Sequence, residues 1–251
     1  MTDSLLTHFE DGIATLTINR PQVHNALDAA TMADLEAAVA RIDEAKEIRT
    51  IVLTGAGEKT FCSGGDLKYF ATMNEEKHVL AMSHRMQRLL DRIYHGPRVV
   101  IGAVNGNSYG GGCEILTACH FRIAVEGAHF SFRQAKNGII TGWGGGLRLF
   151  RMLGRGRALR LFLTSEDTPA QEALRVGLID QIVPRAQLMD EVYGLAHKIQ
   201  ANDARAVAAF LELSRQLHRD DLDTFRERET ALFADCWTHG KFNEILADYR
   251  K

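Results

Sequence analysis

Two stretches of this chain place glycine where a reaction would need bare backbone. The first is Gly110-Gly111-Gly112-Cys113-Glu114, which follows the apolar run 99–104 and leads into Ile115-Leu116-Thr117. A strand that passes through three glycines into a helix leaves no side chains at the helix start, so a ligand can touch backbone N–H groups there. The partial positive charge of a helix N-terminus suits an anion that is bound or forms during reaction. One carboxylate, Glu114, follows within the first turn. The second stretch repeats the device. The apolar run 50–54 leads through Gly55-Ala56-Gly57 to Phe61-Cys62-Ser63-Gly64-Gly65-Asp66-Leu67. Two such loops can aim two N–H groups at one oxygen, and each donor in such a pair is worth roughly 2.7–4 kcal/mol in a transition state. The first stretch also permits another chemistry. Gly106-Asn107-Ser108-Tyr109-Gly110 has the GxSxG spacing of a serine-hydrolase elbow between a strand and a helix, with Asp180 and His197 or His218 as partners for Ser108.

The elements that must hold these loops are legible in the hydrophobic pattern. Ala14, Leu16 and Ile18 alternate with Thr15, Thr17 and Asn19, which predicts a half-buried strand over 12–19, ended by Arg20-Pro21. Met32, Leu35, Val39 and Ile42 recur at helical spacing and predict a helix over 31–46. A strand over 49–54, helices over 67–70 and 75–94, and a strand over 98–104 follow. Phe70, Met73, Met82 and Met86 are candidates for a pocket wall. A helix leaves Glu114, short strands are expected at 121–125 and 129–132, and helices at 147–153, 157–163 and 170–176. After a strand at 179–183, the chain beyond Pro184 reads as helices over 186–200, 203–217 and 221–238. Strand, strand and helix recur, so a mixed α/β core is expected in place of a Rossmann sheet. No GxGxxG or GK[ST] supports a nucleotide reading.

Bulk properties narrow the function classes. A chain of 251 residues with 45% apolar and 25% charged residues is ordinary for a globular protein. A net charge of −2 argues against a general nucleic-acid surface, so local basic residues must meet any polyanionic ligand. No apolar run approaches 18 residues and no signal pattern opens the chain, so no membrane association and a cytoplasmic location are expected. Cys62, Cys113, Cys119 and Cys236 show no CxxC spacing and the ten histidines no HExxH, so no metal site and no disulfide are expected.

Five blocks in order resemble the enoyl-CoA hydratase/isomerase (crotonase) superfamily. They are Asn19-Arg20-Pro21 with Asn25-Ala26-Leu27, Phe61 to Leu67, Asn105-Gly106 with Gly110 to Glu114, Gly142-Trp143-Gly144-Gly145-Gly146-Leu147-Arg148-Leu149, and 170–180. The resemblance implies an α/β spiral of ββα units over 1–184, a C-terminal helical region over 185–251, and assembly as a homotrimer or homohexamer. It implies an acyl-CoA thioester substrate, with coenzyme A as part of that substrate and no separate cofactor. Matching motif positions put the oxyanion-hole N–H groups on Gly65 and Gly111. They put the coenzyme A groove along Gln22, Val23, His24, Ser63, Gly64, Gly65, Asp66, Leu67 and Lys68, with Arg20 and Lys68 able to meet phosphates and Asp66 able to cap a helix. The family's hydratases use two glutamates. Glu114 matches the first, while the second position aligns on Gln134. A glutamine can orient a water or a thioester but cannot exchange a proton near neutrality. The readings that follow are hydration or isomerisation with one carboxylate, decarboxylation of a malonyl-type thioester, and a silent acyl-CoA-binding protein. Gly142-Trp143-Gly144-Gly145 and Lys241-Phe242-Asn243 resemble the ethylmalonyl-CoA decarboxylase branch, and Arg133 and Lys136 could attract a substrate carboxylate.

Overall fold

The computed structural model describes residues 4–216, 226–227, 230–231, 233–234, 237–238 and 241–249. Its main sheet has six strands in the order β1 (Leu5–Glu10), β2 (Ile13–Ile18), β3 (Thr50–Gly55), β5 (Val99–Val104), β7 (Phe121–Val125) and β10 (Gln181–Val183). β1 and β2 form an antiparallel hairpin, and every later pairing is parallel. All residues of β3 and β5 are buried, as expected of parallel strands covered on both faces. β1 buries only Leu5 fully and carries no alternating apolar signal, which is why the pattern alone did not reveal it.

A second, smaller sheet decides where the chemistry sits. Its order is β4 (Thr60–Cys62), β6 (Asn107–Tyr109), β8 (His129–Ser131) and β9 (Thr168–Pro169). Each of β3, β5 and β7 is followed by one strand of this small sheet and then by a helix. The helices are α2 (Leu67–Phe70) and α3 (Glu76–Tyr94), then α4 (Gly111–Thr117), then α5 (Gly145–Thr164). This is the ββα spiral that the resemblance implied. α1 (Ala29–Glu44) is capped by Asp28, whose side chain accepts from Thr31 N at 2.9 Å. The helices expected over 147–153 and 157–163 are the two halves of α5, separated by a kink at Gly154, where φ is +74° and ψ 164°.

α6 (Ala170–Val176), α7 (Leu188–Gln200), α8 (Ala204–Gln216) and α9 (Lys241–Ala247) follow, and the described residues between 226 and 238 are helical too. α7 packs against β5 and β7 of the main sheet. Most of the helix expected over 221–238 lies outside the described residues. Among the described residues no helix is long and apolar enough to cross a membrane.

Candidate active site

β4 and β6 run parallel, so the loops that leave them emerge side by side. Ser63-Gly64-Gly65 leaves β4, and Gly110-Gly111 leaves β6 into α4. Gly64 sits at φ +100°, and a Cβ there would lie 2.8 Å from the Gly111 nitrogen; only glycine lets the two backbones meet. Gly65 is held from its other side, since Leu27 N donates to Gly64 O at 2.8 Å and Asp66 N to Leu27 O at 2.9 Å. The N–H groups of Gly65 and Gly111 donate to no acceptor among the described residues. Both glycines line one cavity of about 390 Å³. Aromatic rings back them: a Cβ on Gly65 would strike Phe70 at 1.8 Å, and one on Gly111 would strike Trp143 at 2.3 Å.

Glu114 faces the same cavity from the first turn of α4 and is only 3% exposed. Its Oε2 accepts from Trp143 N at 2.8 Å and Gly145 N at 3.0 Å. Its Oε1 accepts from Gln134 Nε2 at 3.1 Å and, at longer range, from Gly142 N at 3.4 Å. The glycines of the 142–145 turn make this approach possible, for a Cβ on Gly145 would come within 2.5 Å of Glu114 Cγ. Burial pushes the Glu114 carboxyl above the usual carboxylate range, opposed by the Gly145 and Trp143 N–H groups, the Arg148 charge and Gln134. A carboxylate only accepts, so the Gln134 amide must turn its NH2 toward Glu114. That leaves Gln134 Oε1 as a buried acceptor with no partner among the described residues, in a residue that lines the cavity.

The other candidates divide. Val23, Ser63, Asp66, Leu67 and Lys68 line the cavity, whereas Gln22, His24 and Gly64 do not. His24 Nδ1 instead lies 3.0 Å from Thr60 Oγ1. Asp66 caps α2 and also pairs with Arg20 at 2.9 Å. Arg20 is further engaged by Asp28 at 2.9 Å and donates to Ala26 O at 2.6 Å, so it braces the loops and is not free for a phosphate. Lys68 is exposed at the rim and forms no ion pair among the described residues. Arg133 lines the cavity with its guanidinium 3.7 Å over the Tyr109 ring, while Lys136 does not line it. Of the expected wall, only Phe70 lines the cavity. Met73, Met82 and Met86 are buried behind it, Met82 Sδ accepting from Trp143 Nε1 at 3.2 Å.

Sequence reasoning missed the contribution of the chain's end. Phe233, Phe242 and Tyr249 line the cavity. Trp237 ties this wall together, its ring centroid 4.9 Å from Phe70, 5.3 Å from Phe233 and 4.7 Å from Phe242. Helical spacing within one segment cannot say that these rings reach back across the chain to Phe70.

The serine-hydrolase reading fails on geometry. Ser108 is fully buried within β6, and no histidine, carboxylate or amine is hydrogen-bonded to its hydroxyl among the described residues, so no base activates it. Asp180 is paired with Arg122 at 2.8 Å, and His197 lies exposed on α7 beside a separate small cavity. His218 lies outside the described residues.

Known proteins share much of this sequence and fold. Residues 8–250 match the family model described as enoyl-CoA hydratase/isomerase. The chain is 34% identical over 238 residues to a short-chain-enoyl-CoA hydratase of Clostridium acetobutylicum, covering 94% of this chain and 90% of that one. It is 34% identical over 178 residues to an ethylmalonyl-CoA decarboxylase of Xenopus laevis, covering 71% of this chain and 59% of that protein. Among solved structures, an enoyl-CoA hydratase from Bacillus anthracis superposes with a TM-score of 0.83 at 34% identity, over 91% of this chain and 89% of that one.

Proposed function

Since the chain belongs to the enoyl-CoA hydratase/isomerase family, we propose that it transforms an acyl-CoA thioester by proton transfer through one carboxylate, Glu114, as a hydratase or double-bond isomerase. The observation that carries this reading is the Glu114 carboxyl itself. It is buried, raised in proton affinity, and set in one cavity with the two uncommitted N–H groups of Gly65 and Gly111.

The thioester oxygen sits between those two N–H groups, which stabilise the negative charge it gains as the enolate forms. In hydration, Glu114 takes a proton from water as the water oxygen bonds to the β-carbon. The alkene electron pair moves into the enolate, and the α-carbon then takes a proton back from Glu114. In isomerisation the same carboxyl removes a proton from one carbon and returns it to another two bonds away. Gln134 carries no proton in either route. Its NH2 orients Glu114, and its free Oε1 is an acceptor for the attacking water. Val23, Ser63, Asp66 and Leu67 border the coenzyme A arm, with Lys68 at the rim for a phosphate. Coenzyme A enters as part of the substrate, and these steps call on no other cofactor.

A second reading is decarboxylation of a malonyl-type thioester, supported by Arg133, a cation on the cavity wall without a carboxylate partner among the described residues. There the bond to the carboxylate carbon breaks, CO2 leaves, and the electron pair enters the same enolate. A silent binding protein is disfavoured, because a buried carboxyl costs stability that mere binding does not require. A homo-oligomer is favoured by α8, which leaves Phe210 74% exposed. A cytoplasmic location remains part of this proposal. Assaying a panel of thioesters for hydration, double-bond shift and CO2 release tests the assignment. Binding without turnover on every member would refute it.

A further inference from the structure

Behind Glu114 lies an arginine that no step above employs. Arg148, on α5, is 5% exposed, and its guanidinium reaches Trp143, Thr117 and Asp91 among the described residues. Nη2 donates to Trp143 O at 2.7 Å, Nε to Thr117 Oγ1 at 3.0 Å, and Nη1 faces Asp91 Oδ1 at 3.4 Å. Two of these partners belong to the frame of Glu114. Trp143 is the residue whose own N–H binds Glu114 Oε2, and Thr117 Oγ1 donates to the Glu114 carbonyl at 2.6 Å. Between Trp143 and Gly145 the chain turns through Gly144 at φ +79°, and a Cβ on Gly144 would lie 2.9 Å from Arg148 Nη1. The guanidinium thus underlies the turn whose N–H groups grip the carboxylate.

We propose that Arg148 is a positioning residue: its buried guanidinium holds the 142–145 turn in the shape that grips the Glu114 carboxylate and sets a positive charge on the far side of that turn. This extends the reading of Glu114 as proton carrier. A planar fork suits the task, because it can bind a backbone carbonyl, a hydroxyl and a carboxylate at fixed angles while staying ionised. The charged surroundings of Glu114 agree in sign. Arg148 is the cation that lowers its proton affinity from the α5 side. Arg133, on the 132–138 loop, is stacked on Tyr109. Cys113, next to Glu114 on α4, is a thiol that burial pushes up to about 12, and so is neutral. Asp91, on α3, tempers Arg148 and is itself bound by Arg226 at 2.8 Å.

The test reads the titration of Glu114 without requiring turnover. With glutamate carrying 13C at the carboxyl carbon, the Glu114 resonance is assigned by its loss in Glu114→Gln, and its midpoint is followed against pH. Removing the cation in Arg148→Met is expected to raise the midpoint by about one pH unit or more. Arg148→Lys, which keeps the charge but not the fork, is expected to raise it less. Asp91→Asn removes an opposing charge from a partly exposed position and is expected to lower the midpoint. A folded Arg148→Met with an unchanged midpoint overturns the proposal. Should that variant not fold, an unmoved or upward midpoint in Asp91→Asn overturns it equally. A set of titrations that moves as stated in a protein that turns over no thioester would instead remove the proton-carrier reading and leave the role of Arg148 standing.

Discussion

Replacing Gln134 by glutamate is the perturbation that most directly interrogates the reaction. The new carboxyl would stand where the Gln134 nitrogen now lies, 3.1 Å from Glu114 Oε1. Two carboxylate charges at that separation repel by about 5 kcal/mol at an effective dielectric of ~20, which corresponds to about four pH units. The pair therefore keeps one proton through neutrality, shared between the two side chains. In its protonated form the introduced carboxyl also donates to Glu114, so the hydrogen bond now made by the amide is replaced and the fold is not penalised for its loss. The site gains the proton carrier that glutamine cannot be. A positioned acid–base group is worth roughly 10²- to 10⁴-fold; with surroundings not tuned to it, a rise in hydration of ~10-fold or more is expected. The assay follows loss of the conjugated enoyl thioester absorbance of a short enoyl-CoA, with CO2 release from a malonyl-type thioester measured in parallel. Decarboxylation is expected to fall, because Arg133, the adjacent residue, would then face a competing carboxylate. Opposite signs in the two assays cannot come from a general loss of stability. Hydration by the wild type at a rate the substitution does not improve would refute the assignment of Gln134 as the missing acid.

Other outcomes follow from the same geometry. Glu114→Gln should lower kcat by at least ~10²-fold with little change in coenzyme A affinity, checked by steady-state kinetics and calorimetry. Its stability should also respond differently to pH. The native Glu114 carboxyl binds its proton more tightly than the unfolded one, so the wild type loses stability as pH rises from the unfolded carboxylate value through the raised native one. Thermal melts of Glu114→Gln should lack that decline, and an identical pH dependence would contradict it. Gly111→Ala keeps the N–H but puts a methyl 2.3 Å from the Trp143 ring, whereas Gly111→Pro deletes the N–H as well. In folded variants, judged by circular dichroism, turnover should fall in the first and be lost in the second. Sedimentation should show a species larger than the 27.9 kDa chain; a monomer at micromolar concentration would argue against the oligomer.

How much of this was legible beforehand depends on whether the signal was local. The long parallel strands β3 and β5 and the helices α1 and α3 announce themselves, because burial of one face or both writes a periodic apolar pattern into consecutive residues. Gly64, Gly65, Gly111 and Glu114 were legible for a similar reason, since glycines and an acid at a strand-to-helix junction can be read within one short stretch of chain. The small sheet was not, because β4, β6 and β8 have three residues each, too few to show a period. Only its parallel pairing of β4 with β6 brings Gly65 and Gly111 to one cavity. The long-range electrostatics were equally hidden. Arg20 looked available for a phosphate until Asp28 and Asp66 converged on it, and Arg148 was one residue of a motif until the fold set it beneath the turn that grips Glu114. Sequence determines which residues can carry charge, bend the chain or fill a core. Which charges meet, and which N–H groups are left uncommitted, depends on segments distant in the chain that only tertiary packing brings within hydrogen-bonding distance.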